Sequence, residues 1–367
     1  MLKIAHIARI LVGIEFIFSG FVKVVDPYGT GLKLQEYFEV FATDLPLLSP
    51  IFTLLAHQAQ LLSLLFCASE LILGVALLFS FQMKKTAWIV LAFMSFFTFL
   101  TFYSAFYNKV TDCGCFGDFL KLKPWNSFYK DVISIAVISI FFVFRDKFKT
   151  PTTAHYFVLF SAILSFGIGI YALNYLPPLD FLAYAKGNSI PKLMEPTGIK
   201  PDIVYIFKDK AKNQKIESRE YLMDSNFEYI ESYTTNEEAI TPKITDYSLS
   251  DTLGNDWTST SFEGNKILIT VKKVEKVDKN TWINIQNFWN QMSKSPAFQI
   301  VFVTSDVPSF LAQQLQKRNM QAPIYTIDEK VLKTMARLNL VIYYLHEGTV
   351  VEKWGYRSIP KEITTTP

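Results

Sequence analysis

Apolar residues follow two different rhythms along this chain, and the change falls near residue 176. Before it come long apolar runs separated by short polar gaps. Five are long enough to cross a bilayer as helices, which takes about 20 residues each: 4–25, 60–81, 86–107, 128–144 and 155–176. A soluble helical bundle would need polar faces at a 3.6-residue period, and residues 88–106 and 133–144 show none, so these runs predict membrane helices. The apolar stretch 47–59 is expected to extend the second span or to lie at the interface.

After residue 176 the runs shorten. Pro177-Pro178 stops the fifth helix. Residues 187–201 hold Gly187, Pro191, Pro196, Gly198 and Pro201 and read as a linker. A short β-type run at 203–207 and a small structured lead-in at 221–233 follow. From about residue 242 the pattern becomes regular. Strands are expected at 247–251, 266–271, 298–304 and 324–327, with helices at 281–292, 309–318 and 331–336. A closing hairpin, 341–345 with 350–354, turns at Glu347-Gly348. This alternation predicts an α/β domain around a central sheet. The expected divisions are a four-helix membrane domain (1–149), a fifth membrane helix (150–180), a linker and lead-in (181–241) and the α/β domain (242–367).

The length of 367 residues allows two or three domains, and a net charge of +3 without a basic patch excludes nucleic acid as a partner. Charge also sets an orientation. Lys3, Arg9, Lys84-Lys85 and the cluster from Arg145 to Lys149 are basic, whereas the loop with Asp26, Glu36, Glu39 and Asp44 is acidic. The positive-inside rule then places the N-terminus in the cytoplasm of a bacterial inner membrane, with the loop carrying Cys113 and Cys115 and everything after Leu176 outside. Lys109, Lys121, Lys123 and Lys130 in the outer loop run against that bias. The N-terminal run lacks a small-residue cleavage site and reads as a retained span.

Two of the three cysteines, Cys113 and Cys115, lie in that outer loop, one residue apart. Consecutive Cα atoms are about 3.8 Å apart, so an i,i+2 pair at a bend falls near disulfide range. Gly114 lets the backbone bend there. Such a small ring would be strained, and strained disulfides are the labile ones. Redox or thiol-exchange chemistry at Cys113 and Cys115 is the favoured reading, against inert loop cysteines or two ligands of an incomplete metal site. An outer location agrees with it, because disulfides persist on the oxidising side of a membrane.

Ionisable residues inside spans are costly and face the bundle interior. Glu15, Ser19 and Lys23 share a helix face at four-residue spacing, and Glu70 falls mid-way along the second span. A Lys23–Glu70 ion pair, or a protonated Glu15 bonding across helices, is expected. Structural glue between helices is the commoner role and a proton or quinone site the functional one. Arg9 is expected to snorkel to the cytoplasmic surface. Cys67, one turn before Glu70, is expected to pack as a small hydrophobe, or to serve as a third thiol if the bundle brings it under the outer loop. His57, His155 and His346 are scattered without ligand spacing, and no phosphate loop or nucleophile elbow occurs, so no metal is expected.

The pieces Arg9-Ile-Leu-Val-Gly13, Phe18-Ser-Gly20, Lys23 and Glu70-Leu-Ile-Leu-Gly74 resemble the first two helices of DoxX-like membrane proteins. Cys113-Gly-Cys115-Phe-Gly117 resembles the signature of the methylamine-utilisation MauE branch. The likeness covers about residues 1–145. It implies a membrane protein of redox or disulfide chemistry that supports maturation of an extracytoplasmic partner protein, or, in other branches, passes electrons toward quinone.

Residues from about 242 to 360 resemble the thioredoxin-like fold, through their element order and through Tyr325-Thr-Ile-Asp328 and His346-Glu-Gly348-Thr-Val350. In that fold a C-x-x-C follows the strand at 266–271. Here Lys272-Lys-Val-Glu-Lys-Val-Asp278 stands instead, and Asn339-Leu340 occupies the usual place of a cis-proline. The domain is therefore expected to bind or dock a partner rather than to catalyse. The alternative to a redox role is a non-enzymatic membrane anchor or assembly protein whose α/β domain binds that partner.

Overall fold

The computed structural model describes residues 1–110, 114, 116–117, 119–120 and 122–363. Its N-terminal part is helical: α1 (Leu2–Val25), α2 (Pro27–Asp44), α3 (Ser49–His57), α4 (Ala59–Leu78), α5 (Met83–Tyr107), α6 (Pro124–Val143) and α7 (Ala154–Asn174). Four of these, α4 to α7, are long and apolar enough to cross a membrane, where the sequence led us to expect five. The first expected span, α1, is as long but carries Lys3, Arg9, Glu15 and Lys23. Its outer face keeps Ile4, Ile7, Leu11, Ile14 and Phe18 exposed.

Three expectations for this half change. The acidic stretch expected to be a loop is the helix α2. Asp26 starts it by accepting a bond from Gly29 N (3.3 Å), with Pro27 in the first turn, as a capping residue followed by proline favours. Tyr37, Phe38 and Phe41 then bury one face against the bundle. Residues 47–59 do not extend α4; they carry the separate helix α3. Arg9 does not snorkel. It is buried, donating to the carbonyls of Leu77 and Leu78 at the end of α4, beneath the Phe148 ring. Helix ends leave those carbonyls without partners, and a cation satisfies them.

The C-terminal part continues with α8 (Ile190–Met194), β1 (Ile203–Asp209), β2 (Gln214–Ser218), β3 (Phe227–Thr234), α9 (Glu237–Ile240), β4 (Ser250–Asp251), β5 (Asn265–Val271), α10 (Lys279–Met292), β6 (Gln299–Thr304), α11 (Pro308–Gln316), β7 (Ile324–Thr326), α12 (Glu329–Met335), β8 (Leu340–His346) and β9 (Thr349–Gly355). The lead-in is a small antiparallel sheet, β2-β1-β3. The larger sheet runs β4-β7-β6-β5-β8-β9, with β5, β6 and β7 parallel and β8 and β9 antiparallel to their neighbours.

Alternation along β5 explains the layers. Ile267, Ile269 and Val271 face α10 and α11, meeting Trp282, Ile285, Phe288 and Leu311. Leu268 faces the other way, with Val341, Tyr343 and Leu345 of β8, against Val331, Leu332 and Met335 of α12. Both faces are covered, as parallel strands require. The hairpin turns through Glu347 and Gly348, both at positive φ, which is the two-residue geometry that matches strand twist. This layered domain is the α/β arrangement around a central sheet, closed by a hairpin, that the alternation of strands and helices predicts. Ile190, within the stretch read as linker, is buried in its core beside Tyr184.

Candidate functional site

The geometry begins where α1 meets α4. A Cβ at Gly20 would lie 2.5 Å from Leu71 N, one at Gly74 would lie 2.8 Å from Gly13 O, and one at Gly13 would lie 2.9 Å from Leu78 Cδ2. The helices therefore touch backbone to backbone, as small residues permit in membranes. That contact brings Lys23 against Glu70 at 2.6 Å, with side chains 5% and 8% exposed. The Phe97 ring covers the ammonium at 5.2 Å. Cys67 is fully buried beside Lys23, Glu70 and Thr30 and belongs to no disulfide among the described residues.

Glu15 turns elsewhere. Eight residues carry the helix about 80° beyond two whole turns at 3.6 residues per turn, so Glu15 faces α6 while Lys23 faces α4. It accepts from Ser134 Oγ (2.9 Å) and pairs with Lys130 (3.3 Å). Lys130 also pairs with Asp131 (2.8 Å), a buried carboxylate that accepts from Thr101 (2.9 Å). The three bundle residues singled out in the sequence thus fall into two clusters. Lys130 and Asp131 were missed because they open an apolar run in which charge looked terminal rather than interior.

Cys113 and Cys115 lie outside the described residues. Their described neighbours lie over the α1–α2 end of the bundle. Gly114 has a positive φ of 63°, and a Cβ there would lie 3.2 Å from Lys33 Cγ. Phe116 packs on Phe18 and under Lys130, while Phe119 meets Phe18 and Phe181.

The same end of the bundle seats the α/β domain. Arg337, after α12, donates to Asp26 through Nε (2.8 Å) and pairs with it through Nη2 (2.7 Å). Lys272, the first residue after β5, donates to Tyr28 Oη (2.7 Å) and to Ala336 O (3.0 Å), with its ammonium 4.1 Å from the Tyr28 ring centre. Burial, with the cations Arg337 and Lys333, pushes the Lys272 amine down to about 7; burial pushes the Tyr28 hydroxyl up to about 12. Asn339 stitches the segment in place, donating to Lys273 O (2.9 Å) and accepting from Lys273 N (3.0 Å). So the segment after β5, where the resemblance noted in the sequence would place a C-x-x-C, carries a lysine turned toward this chain's own bundle. A cleft of about 370 Å³ remains at the junction, lined by Tyr28, Gln60, Leu173, Lys276, Arg337 and Tyr356, among others. Tyr28 was not singled out from the sequence, and Lys272 was named only as the start of the charged run after β5, with no partner assigned to it.

Comparison with known proteins bears on each half separately. Residues 1–144 match the family model of the methylamine utilisation protein MauE, so the membrane part is of MauE type. No curated protein matches the chain. Among solved structures, a secreted disulfide oxidoreductase from Mycobacterium tuberculosis shares 8% identity at a TM-score of 0.25, covering 29% of this chain and 81% of its own. A thiol peroxidase from Chromobacterium violaceum shares 15% identity at a TM-score of 0.24, covering 30% and 72%.

Proposed function

We propose that this MauE-type membrane protein works in thiol-disulfide chemistry on the outer face of a bacterial inner membrane, with Cys113 and Cys115 as the exchanging pair and its α/β domain outside. A thiolate of one cysteine attacks the disulfide of an extracytoplasmic partner protein. The partner's second sulfur leaves as thiolate and takes up a proton. The other cysteine then attacks the mixed disulfide, releasing the reduced partner and leaving Cys113 bonded to Cys115. Atoms and electrons balance: the partner gains the two electrons the pair loses. Run backwards, the same steps oxidise a partner's dithiol.

One observation carries this reading. The residues flanking the pair, Gly114, Phe116 and Phe119, lie between the bundle's polar end and the segment leading to the second domain. Such flanks support the reading, because reactive residues are commonly carried on loops positioned by a helical scaffold. Lys23, Glu70 and Glu15 organise the bundle beneath it, and Cys67 is available as a third thiol only if that bundle opens. Single serine replacements at Cys113 and Cys115 test it. One should accumulate mixed disulfides with envelope proteins that reductant dissolves; none with either would reject exchange.

A second reading has its own support. The α/β domain carries no cysteine, and the face expected to dock a partner is occupied by Asp26 and Tyr28 of the same chain. That favours an anchor or assembly protein in which Cys113 and Cys115 brace a loop. Normal function of the double serine variant would select it.

A further inference from the structure

Lys272 is 8% exposed, and its acceptors, Tyr28 Oη and Ala336 O, are both neutral. It takes part in no ion pair among the described residues, and Asp26, the nearby carboxylate of the bundle, is already held by Arg337. The charged groups facing it are Lys333 and Arg337 from α12 and the residues after it, Lys276 from its own segment, and Asp26 from the start of α2. Glu329 acts on Tyr28 more weakly than Arg337 and Asp26 do. A buried charge without a counter-charge is costly. The bonds of Lys272 to Tyr28 and of Arg337 to Asp26 cross the seam beside a cleft of about 370 Å³ lined by polar and apolar side chains alike, so part of the seam is already unfilled.

We infer that the seat of the α/β domain on the bundle is a pH-responsive joint, firm when Lys272 is neutral and loosened when it is charged. The sign follows from where protons sit. An exposed lysine titrates near about 10.4, whereas in the closed seam the amine is brought down to about 7. Between those values the closed state binds fewer protons than the open one. Closure therefore strengthens as pH rises above about 7 and weakens as pH falls toward it, levelling off below, where Lys272 is charged in both states. This holds whether or not Cys113 and Cys115 exchange electrons.

The test is a distance measurement on the full chain in lipid nanodiscs. Spin-labelled non-natural side chains go at Leu47 and Val307, both exposed, one in the bundle part and one in the α/β domain. Pulsed dipolar spectra are then compared from about pH 9 to about pH 6. In the native chain the open fraction should grow as pH falls, the closing constant dropping by up to about tenfold from pH 9 to 8 and by about fivefold from pH 8 to 7. Lys272→Met should flatten that dependence. Asp26→Asn, which keeps a capping side chain for α2 but weakens the Arg337 contact, should raise the open fraction at every pH and keep the slope. The joint is rejected if Lys272→Met retains the native slope, or if Asp26→Asn, even with the native chain closed throughout, shows one pH-independent distance.

Discussion

Between α1 and α4 the backbones touch through Gly13, Gly20 and Gly74, with an ion pair, Lys23–Glu70, enclosed among apolar neighbours. Between the bundle and the α/β domain the contact runs instead through Arg337 on Asp26 and Lys272 on Tyr28, around a cleft of about 370 Å³. The first junction leaves no room to move without breaking backbone packing. The second can lose or gain its bonds one at a time. Under the proposed exchange role, a platform that holds the cysteine loop gains from the first kind of junction, and a domain that admits partners to it gains from the second.

The sharpest way to break this contrast is at Lys23. Lys23→Met alone strands a buried Glu70 carboxylate and should cost about 3–5 kcal/mol of bundle stability, read by unfolding in detergent. Lys23→Met with Glu70→Leu should recover most of that, since a well-packed apolar pair can replace a buried ion pair. A single variant as stable as the native protein would mean that water already reaches the pair.

Gly20→Ala comes next. Its Cβ would stand 2.5 Å from a backbone nitrogen, and the helices must part, at about 1–3 kcal/mol. Reduced thermal stability, with greater hydrogen exchange along both α1 and α4, is the expected outcome.

At the other junction, Arg337→Gln should leave both halves folded and cost about 1–3 kcal/mol of docking. Faster exchange should be confined to residues 26–31 and 336–340. Exchange spreading through β5 or α4 would show that the two junctions are one cooperative unit. The smallest effect is expected at Asn339→Ala. It removes two side-chain bonds to Lys273 and should loosen the Lys272 segment by about 1 kcal/mol without opening the seam.

Much of this architecture was legible beforehand, because it is written in periodicity. The spans at α4 to α7, and the strands β5 to β9 with their closing hairpin, follow from apolar runs whose length and spacing allow one kind of element; the order of those strands in the sheet was not read from them. The helix α2 was hidden because Glu36, Glu39 and Asp44 suggested a loop, while the apolar positions that bury Leu34, Tyr37, Phe38 and Phe41 are spaced at helical intervals. Arg9 was misplaced because sequence cannot show that the end of α4 offers it bare carbonyls. The separation of Glu15 from Lys23 required knowing which neighbour each helix face meets. Lys272 and Tyr28 lie 244 positions apart, and nothing local to either announces the other.

The most direct test of the redox account is a thiol titration of the purified protein against a graded glutathione couple, with and without quinone, followed by alkylation and mass analysis. Cys113 and Cys115 should lose their labels together in one two-electron step, and Ser at either position should abolish that step while leaving buried Cys67 unchanged. Full labelling of both thiols across the whole range of potentials would contradict it.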